Sequence, residues 1–155
     1  MNTTLKLCLL SLALGASFAA NADDRLVRFD GGIGSQPLRA GGLVNDVNGV
    51  PPGGRPWVIE RLTADVRTDG RVRVDGRGLV LGGGNNIGTP GGQSVRVTLF
   101  CGGVPFVGAQ LVPLEANGDF RIDDQLAGLP NPCATPILLI VSGGGSWFAA
   151  GIPKP

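Results

Sequence analysis

The chain predicts an all-β fold, an antiparallel β-sandwich of about eight strands with glycine-rich loops and one disulfide. Three observations carry that prediction. Short apolar runs alternate with charged residues at period two, as half-buried strands do. The 27 glycines and 12 prolines cluster between those runs without the three-residue period of collagen. A ten-residue pattern also occurs twice, as Val66-Arg67-Thr68-Asp69-Gly70-Arg71-Val72-Arg73-Val74-Asp75 and as Leu114-Glu115-Ala116-Asn117-Gly118-Asp119-Phe120-Arg121-Ile122-Asp123.

In chain order, residues 1–22 read as a secretory signal peptide. Lys6 precedes an apolar run from Leu7 to Ala20, and Ala20-Asn21-Ala22 supplies small residues for cleavage. The run falls short of the roughly 20 residues that a membrane helix needs. The expected product is therefore exported, periplasmic or extracellular, with one domain over 23–155 and no transmembrane segment after cleavage. Leu26 to Phe29 forms a short edge strand, and Asp30 to Pro56 reads as a loop packed across the surface through scattered Leu and Val. Trp57–Arg67 and Arg71–Leu81 form a first hairpin, bent at Gly76 and Gly78. Gly82 to Gln93 is a loop. In Val95 to Cys101, alternation sends Val95, Val97, Leu99 and Cys101 to one face. Phe106–Leu114 and Asp119–Ile122 form a second hairpin. Pro136–Val141 is continuously apolar, the pattern of a central strand covered on both faces. Trp147 to Ala150 is the last strand.

Register selects the loop type in both hairpins. A two-residue turn at Asp69-Gly70 would set Val66 against Arg73, whereas a three-residue loop sets Val66 against Val72, Ala64 against Val74 and Asp65 against Arg73. The second register sorts apolar from charged. With Ala116-Asn117-Gly118 as the other loop, Leu114 faces Phe120 and Val112 faces Ile122.

The candidate chemistry is sparse. The chain has no histidine, which removes the commonest general base and zinc ligand. Without Lys6 there are 12 basic and 12 acidic side chains, a balance that does not point to nucleic acid. Cys8 leaves with the leader, so Cys101 and Cys133 are expected to pair; closing that loop contributes roughly 3–4 kcal/mol. Two thiols without histidine make no metal site, and no cofactor motif is present: Gly31-Gly32-Ile33-Gly34 lacks the Lys-Ser/Thr ending of a phosphate loop. Asp119, Asp123 and Asp124 are the only candidates for a carboxylate-dependent hydrolase, and solvated turn carboxylates are the plainer reading. Arg71, Arg73 and Arg77 alternate outward and suit a sulfated or phosphorylated ligand, unless Asp65, Glu60 and Asp75 neutralise them. Trp57 and Trp147, with Phe106 and Phe148, offer a carbohydrate platform at strand entrances, although core packing is the commoner use of such rings.

Several segments resemble a group of short, exported, uncharacterised bacterial proteins: Arg28-Phe29-Asp30-Gly31-Gly32-Ile33-Gly34, Pro56-Trp57-Val58-Ile59, Val74-Asp75-Gly76-Arg77-Gly78-Leu79, Asn117-Gly118-Asp119-Phe120 and Trp147-Phe148-Ala149-Ala150-Gly151-Ile152. That group implies no activity. Val95 to Ile140 is also similar to transthyretin-like, prealbumin-type sandwiches, through an apolar strand followed by an Asn-Gly-x-Phe hairpin; this likeness implies a fold and nothing catalytic. The expectation is an exported, non-enzymatic domain with a binding or envelope-associated structural role. Its partner would be a carbohydrate or a protein.

Overall fold

The computed structural model describes residues 24–155; the leader assigned to 1–22 lies outside them. The strands are β1 (Arg25–Gly34), β2 (Leu38–Arg39), β3 (Leu43–Val44), β4 (Trp57–Val58), β5 (Arg61–Arg67), β6 (Arg71–Arg77), β7 (Val80–Leu81), β8 (Ser94–Cys101), β9 (Val104–Val107), β10 (Val112–Pro113), β11 (Phe120–Gln125), β12 (Ile137–Ser142) and β13 (Trp147–Lys154). The fold is all-β and its strands pair antiparallel. It is sandwich-like in its layers, although the main sheet is a curled half-barrel. Strand order in that sheet is β10-β8-β12-β13-β1-β5-β6-β11, with β9 also beside β8. The curl brings β10 towards β11, where the Gln110 amide donates to the Asp124 carboxylate at 2.8 Å.

Alternation fills the inside of the curl. Leu62, Ala64 and Val66 from β5, Val72 and Val74 from β6, Val95, Val97, Leu99 and Cys101 from β8, and Leu138 and Ile140 from β12 meet in one core. β12 is central and covered on both faces, as its unbroken apolar run implies. Leu139 and Val141 point outward into a second cluster with Phe100 and Trp147, roofed by Val47 and Val50. The segment before β4 is thus a partial outer layer. It closes through the Val47–Val50 bridge, a Pro52–Trp147 bridge and a 3.0 Å bond from the Trp147 indole N–H to the Asn45 carbonyl.

The first hairpin has the register that alternation demands: Val66 opposite Val72, Asp65 opposite Arg73 and Ala64 opposite Val74. The second tip also closes as a three-residue loop, with Glu115 N–H on the Asp119 carbonyl at 2.9 Å and Gly118 N–H on Glu115 at 2.8 Å. Its arms do not zip. β10 pairs with β8, and β11 pairs with β6. The next ladder bond beyond this tip would come from residue 113, which is proline and has no N–H. Asp65 holds the same place in the first hairpin, and there the ladder continues.

On the other edge of β11 the two copies of the repeated pattern pair with each other, about a local two-fold at Val74 opposite Ile122. Arg73 then faces Asp123 and Arg121 faces Asp75, giving reciprocal ion pairs at 3.1 Å and 2.8 Å. Both tips carry the same local bond, from Arg71 N–H to Asp69 Oδ1 and from Asp119 N–H to Asn117 Oδ1.

Three expectations need correction. β1 is no short edge; it runs to Gly34 between β13 and β5. Its glycines are close-approach positions: a Cβ on Gly32 would lie 2.8 Å from Leu62 Cβ, and one on Gly34 would strike the Trp57 backbone. The stretch Trp57–Arg67 divides into β4 and β5, and Arg71–Leu81 divides into β6 and β7 at Gly78, whose φ is 62°. The last strand continues past Ala150 to Lys154 along β1.

Candidate functional site

The arginine face is real, but it is not a free row of cations. On the outer face of β5, β6 and β11, Arg73 is bound to Asp123, and Arg77 reaches both Asp75 (3.0 Å) and Asp119 (2.9 Å). Of the three predicted arginines, only the Arg71 guanidinium has no carboxylate partner among the described residues. The network depresses two carboxyl pKa values. Asp75 is lowered chiefly by its bond from Arg121, helped by Arg77. Asp119 is lowered chiefly by the Gly78 backbone N–H at 3.0 Å and then by Arg77. An open groove of about 680 Å³ runs over this face, with arginines and aspartates interleaved along it. Mutual neutralisation is the main use of these charges. Asp75 matches the partner expected from sequence, while Asp119 and Asp123 arrive from β11.

The candidate hydrolytic carboxylates are dispersed among separate tasks. Asp119 binds Arg77 and Gly78, Asp123 binds Arg73, and Asp124 caps amides at the barrel seam. Cys101 and Cys133 form the expected disulfide, which ties the end of β8 to the segment before β12.

The tryptophans are not exposed. Trp57 is 3% and Trp147 4% accessible, which corrects the picture of an open stacking platform. Trp147 belongs to the outer cluster and uses its N–H on Asn45. Phe106 is a partly buried neighbour of the main core. Trp57 is different. Its ring stacks on Phe148 with centroids 3.9 Å apart, so one π face is consumed. Backbone bonds hold that stack: Ser35 donates to the Phe148 carbonyl and accepts from Trp57 N–H, each at 2.8 Å, while Trp57 pairs with Leu81 across β4 and β7.

Trp57 and Phe148 lie at the floor of a cleft of about 380 Å³. Its walls come from three glycine-rich loops, carrying Arg55, Asn86, Gln93 and Ser146. The Trp57 indole N–H donates to no atom among the described residues. Nor is it sealed in, since Ser35 Oγ is the one fully buried unpartnered side-chain polar atom among them. Gly53 leaves that N–H open. A Cβ there would lie 2.6 Å from Trp57 Nε1, and Gly53 is itself fixed by donating to the Trp147 carbonyl at 3.0 Å. An indole N–H is donor only, so this one, open to the cleft, offers a preformed position for a hydrogen-bond acceptor.

Of the residues singled out from sequence, the cleft keeps Trp57 and Phe148. Arg71, Arg73, Arg77 and Trp147 lie elsewhere. Gly53, Arg55, Asn86, Gln93 and Ser146 escaped notice because they come from three loops that converge only in the fold. The available signal was the Gly53-Gly54-Arg55-Pro56-Trp57 run itself, in which glycine and tryptophan share a turn. Comparison with protein-family models, curated proteins and solved structures returned no match.

Proposed function

We propose that the chain is an exported, non-enzymatic binding domain that takes a small ligand in the cleft floored by Trp57 and Phe148. The observation that carries this reading is the unpartnered indole N–H of a tryptophan otherwise buried, left uncovered by Gly53. The cleft volume falls within the range typical of small-molecule sites, ~300–1,000 Å³. A binding rather than catalytic role is supported by the lack of any histidine and by the separate engagement of Asp119, Asp123 and Asp124. With the ring faces buried, recognition runs through the edge of the indole and the loop polar groups, so a module that stacks sugars on exposed tryptophan is not the reading adopted.

The test uses the disulfide-intact protein and the two indole N–H cross-peaks in a ¹H–¹⁵N spectrum, assigned with Trp147→Phe. A panel of monosaccharides and sugar acids should contain a compound that shifts the Trp57 cross-peak saturably. Gly53→Ala should abolish that shift. A panel that leaves the Trp57 resonance unmoved, or moves it equally in Gly53→Ala, would overturn the assignment.

A further inference from the structure

We infer that the ligand is anchored by a carboxylate set between the Trp57 indole N–H and the Arg55 guanidinium, and so belongs to the class of sugar acids. The inference rests on the cleft being the binding site and adds what the cleft selects.

No carboxylate side chain lines the cleft, and Arg55 is its one charged lining residue. Arg55 makes no ion pair or hydrogen bond with any described residue. Arg73 and Arg121, by contrast, line a groove with acids beside them. Arg55 is also placed rather than merely exposed. Its side chain crosses Gly84, where φ is +86° and a Cβ would meet Arg55 Cδ at 3.1 Å, so it lies along the loop wall. Pro56 separates Arg55 from Trp57, which narrows the backbone conformations available to the arginine.

Two donors, one of them charged, suit an anionic acceptor group with more than one oxygen. A guanidinium matches a carboxylate edge to edge and remains charged at every pH at which the protein is folded. The indole N–H in the same cleft adds a neutral donor. The rest of the lining is neutral and polar: the Asn86 and Gln93 amides and the Ser146 hydroxyl both donate and accept, as a ligand rich in hydroxyl groups requires. A neutral sugar that depends on ring stacking would gain little here, since Phe148 occupies a face of Trp57.

Glucuronate, glucose and glucose 1-phosphate serve as probes, read by calorimetry on the wild-type protein and by the Trp57 indole cross-peak. Glucuronate should bind roughly ten-fold or more tighter than glucose, and Arg55→Gln should remove that advantage while leaving the weak affinity for glucose in place. Arg55 is exposed, so the variant is expected to fold, and its melting curve checks this. If glucose binds as tightly as glucuronate, or Arg55→Gln changes neither, the carboxylate anchor is wrong and the cleft stands. If glucose 1-phosphate outcompetes glucuronate, the anchor is a phosphate and the inference fails. If none of the three perturbs Trp57, both the anchor and the choice of cleft ligand fall; if a probe binds with that resonance unmoved, the cleft itself is the wrong site.

Discussion

Gly118→Ala and Gly145→Ala make a matched pair that separates backbone strain from docking. The two glycines have nearly the same left-handed conformation, φ +83° and +89°. Around Gly145 nothing lies within 4 Å of an added Cβ, whereas at Gly118 the Cβ would sit 2.6 Å from Leu79 N. The Gly118 carbonyl also accepts from that Leu79 N–H at 3.0 Å. Alanine in a left-handed conformation costs about 1–2 kcal/mol, which is the whole expectation for Gly145→Ala. Gly118→Ala adds about 1 kcal/mol for the weakened bond and about 1–3 kcal/mol for moving backbone that has no side-chain freedom, about 3–6 kcal/mol in all. Urea denaturation at 25 °C reads the difference as a larger drop in midpoint at unchanged slope. Equal destabilisation of the two variants would refute the docking of the tip against Leu79.

Leu139→Ala should cost about 2–5 kcal/mol, as much as Leu138→Ala, because the outer cluster buries it as fully as the inner core buries its neighbour; a loss below about 1 kcal/mol would show that the Val47–Val50 layer is no cover. Replacing Cys101 and Cys133 together by alanine should lower unfolding free energy by about 3–4 kcal/mol, and thiol titration of the unreduced protein should find neither of the two free. Asp75 and Asp119 have folded pKa values below the unfolded one, so the stability they contribute is complete above about pH 4–5 and is lost as pH falls through their folded values. Asp75→Asn should therefore flatten the acid limb of a stability profile below about pH 4, and an acid limb parallel to that of the wild type would refute it. Trp147→Phe should cost about 1 kcal/mol through the lost bond to Asn45 and leave glucuronate binding intact; a binding loss would place the site in the outer cluster.

Local pattern carried much of the fold. Val66 opposite Val72 could be deduced because a one-residue slip would have buried Arg73, and the double cover of β12 followed from the unbroken apolar run through Leu138, Leu139 and Ile140. What failed depended on distant partners. The glycines of β1 read as loop residues because glycine marks a turn and a close approach alike, and only Leu62 and Trp57 decide between them. Pro113 was legible as a residue without an N–H, yet only the fold showed that β10 pairs with β8 and leaves the ladder to β11 unformed. Cys101 and Cys133 were paired by counting alone. The cleft could not be read at all from spacing, since Arg55, Asn86 and Ser146 converge across about 90 residues of chain.

The mutual pairing of the repeated segments also settles a question that alternation leaves open. Sliding β11 along β6 by two residues would keep every inward side chain inward, at the cost of setting Arg73 against Arg121 and Asp75 against Asp119 in one direction, or Asp75 against Asp123 and Arg77 against Arg121 in the other. The glycine tips forbid that slide. At one end of the pair Leu126 donates to the Gly70 carbonyl at 2.8 Å, and at the other Leu79 donates to Gly118 at 3.0 Å. Each tip abuts the chain just beyond the neighbouring strand, so movement in either direction drives one of them into backbone. The two strands are held lengthwise between a pair of end stops, and a shifted alignment breaks both of the bonds that mark them.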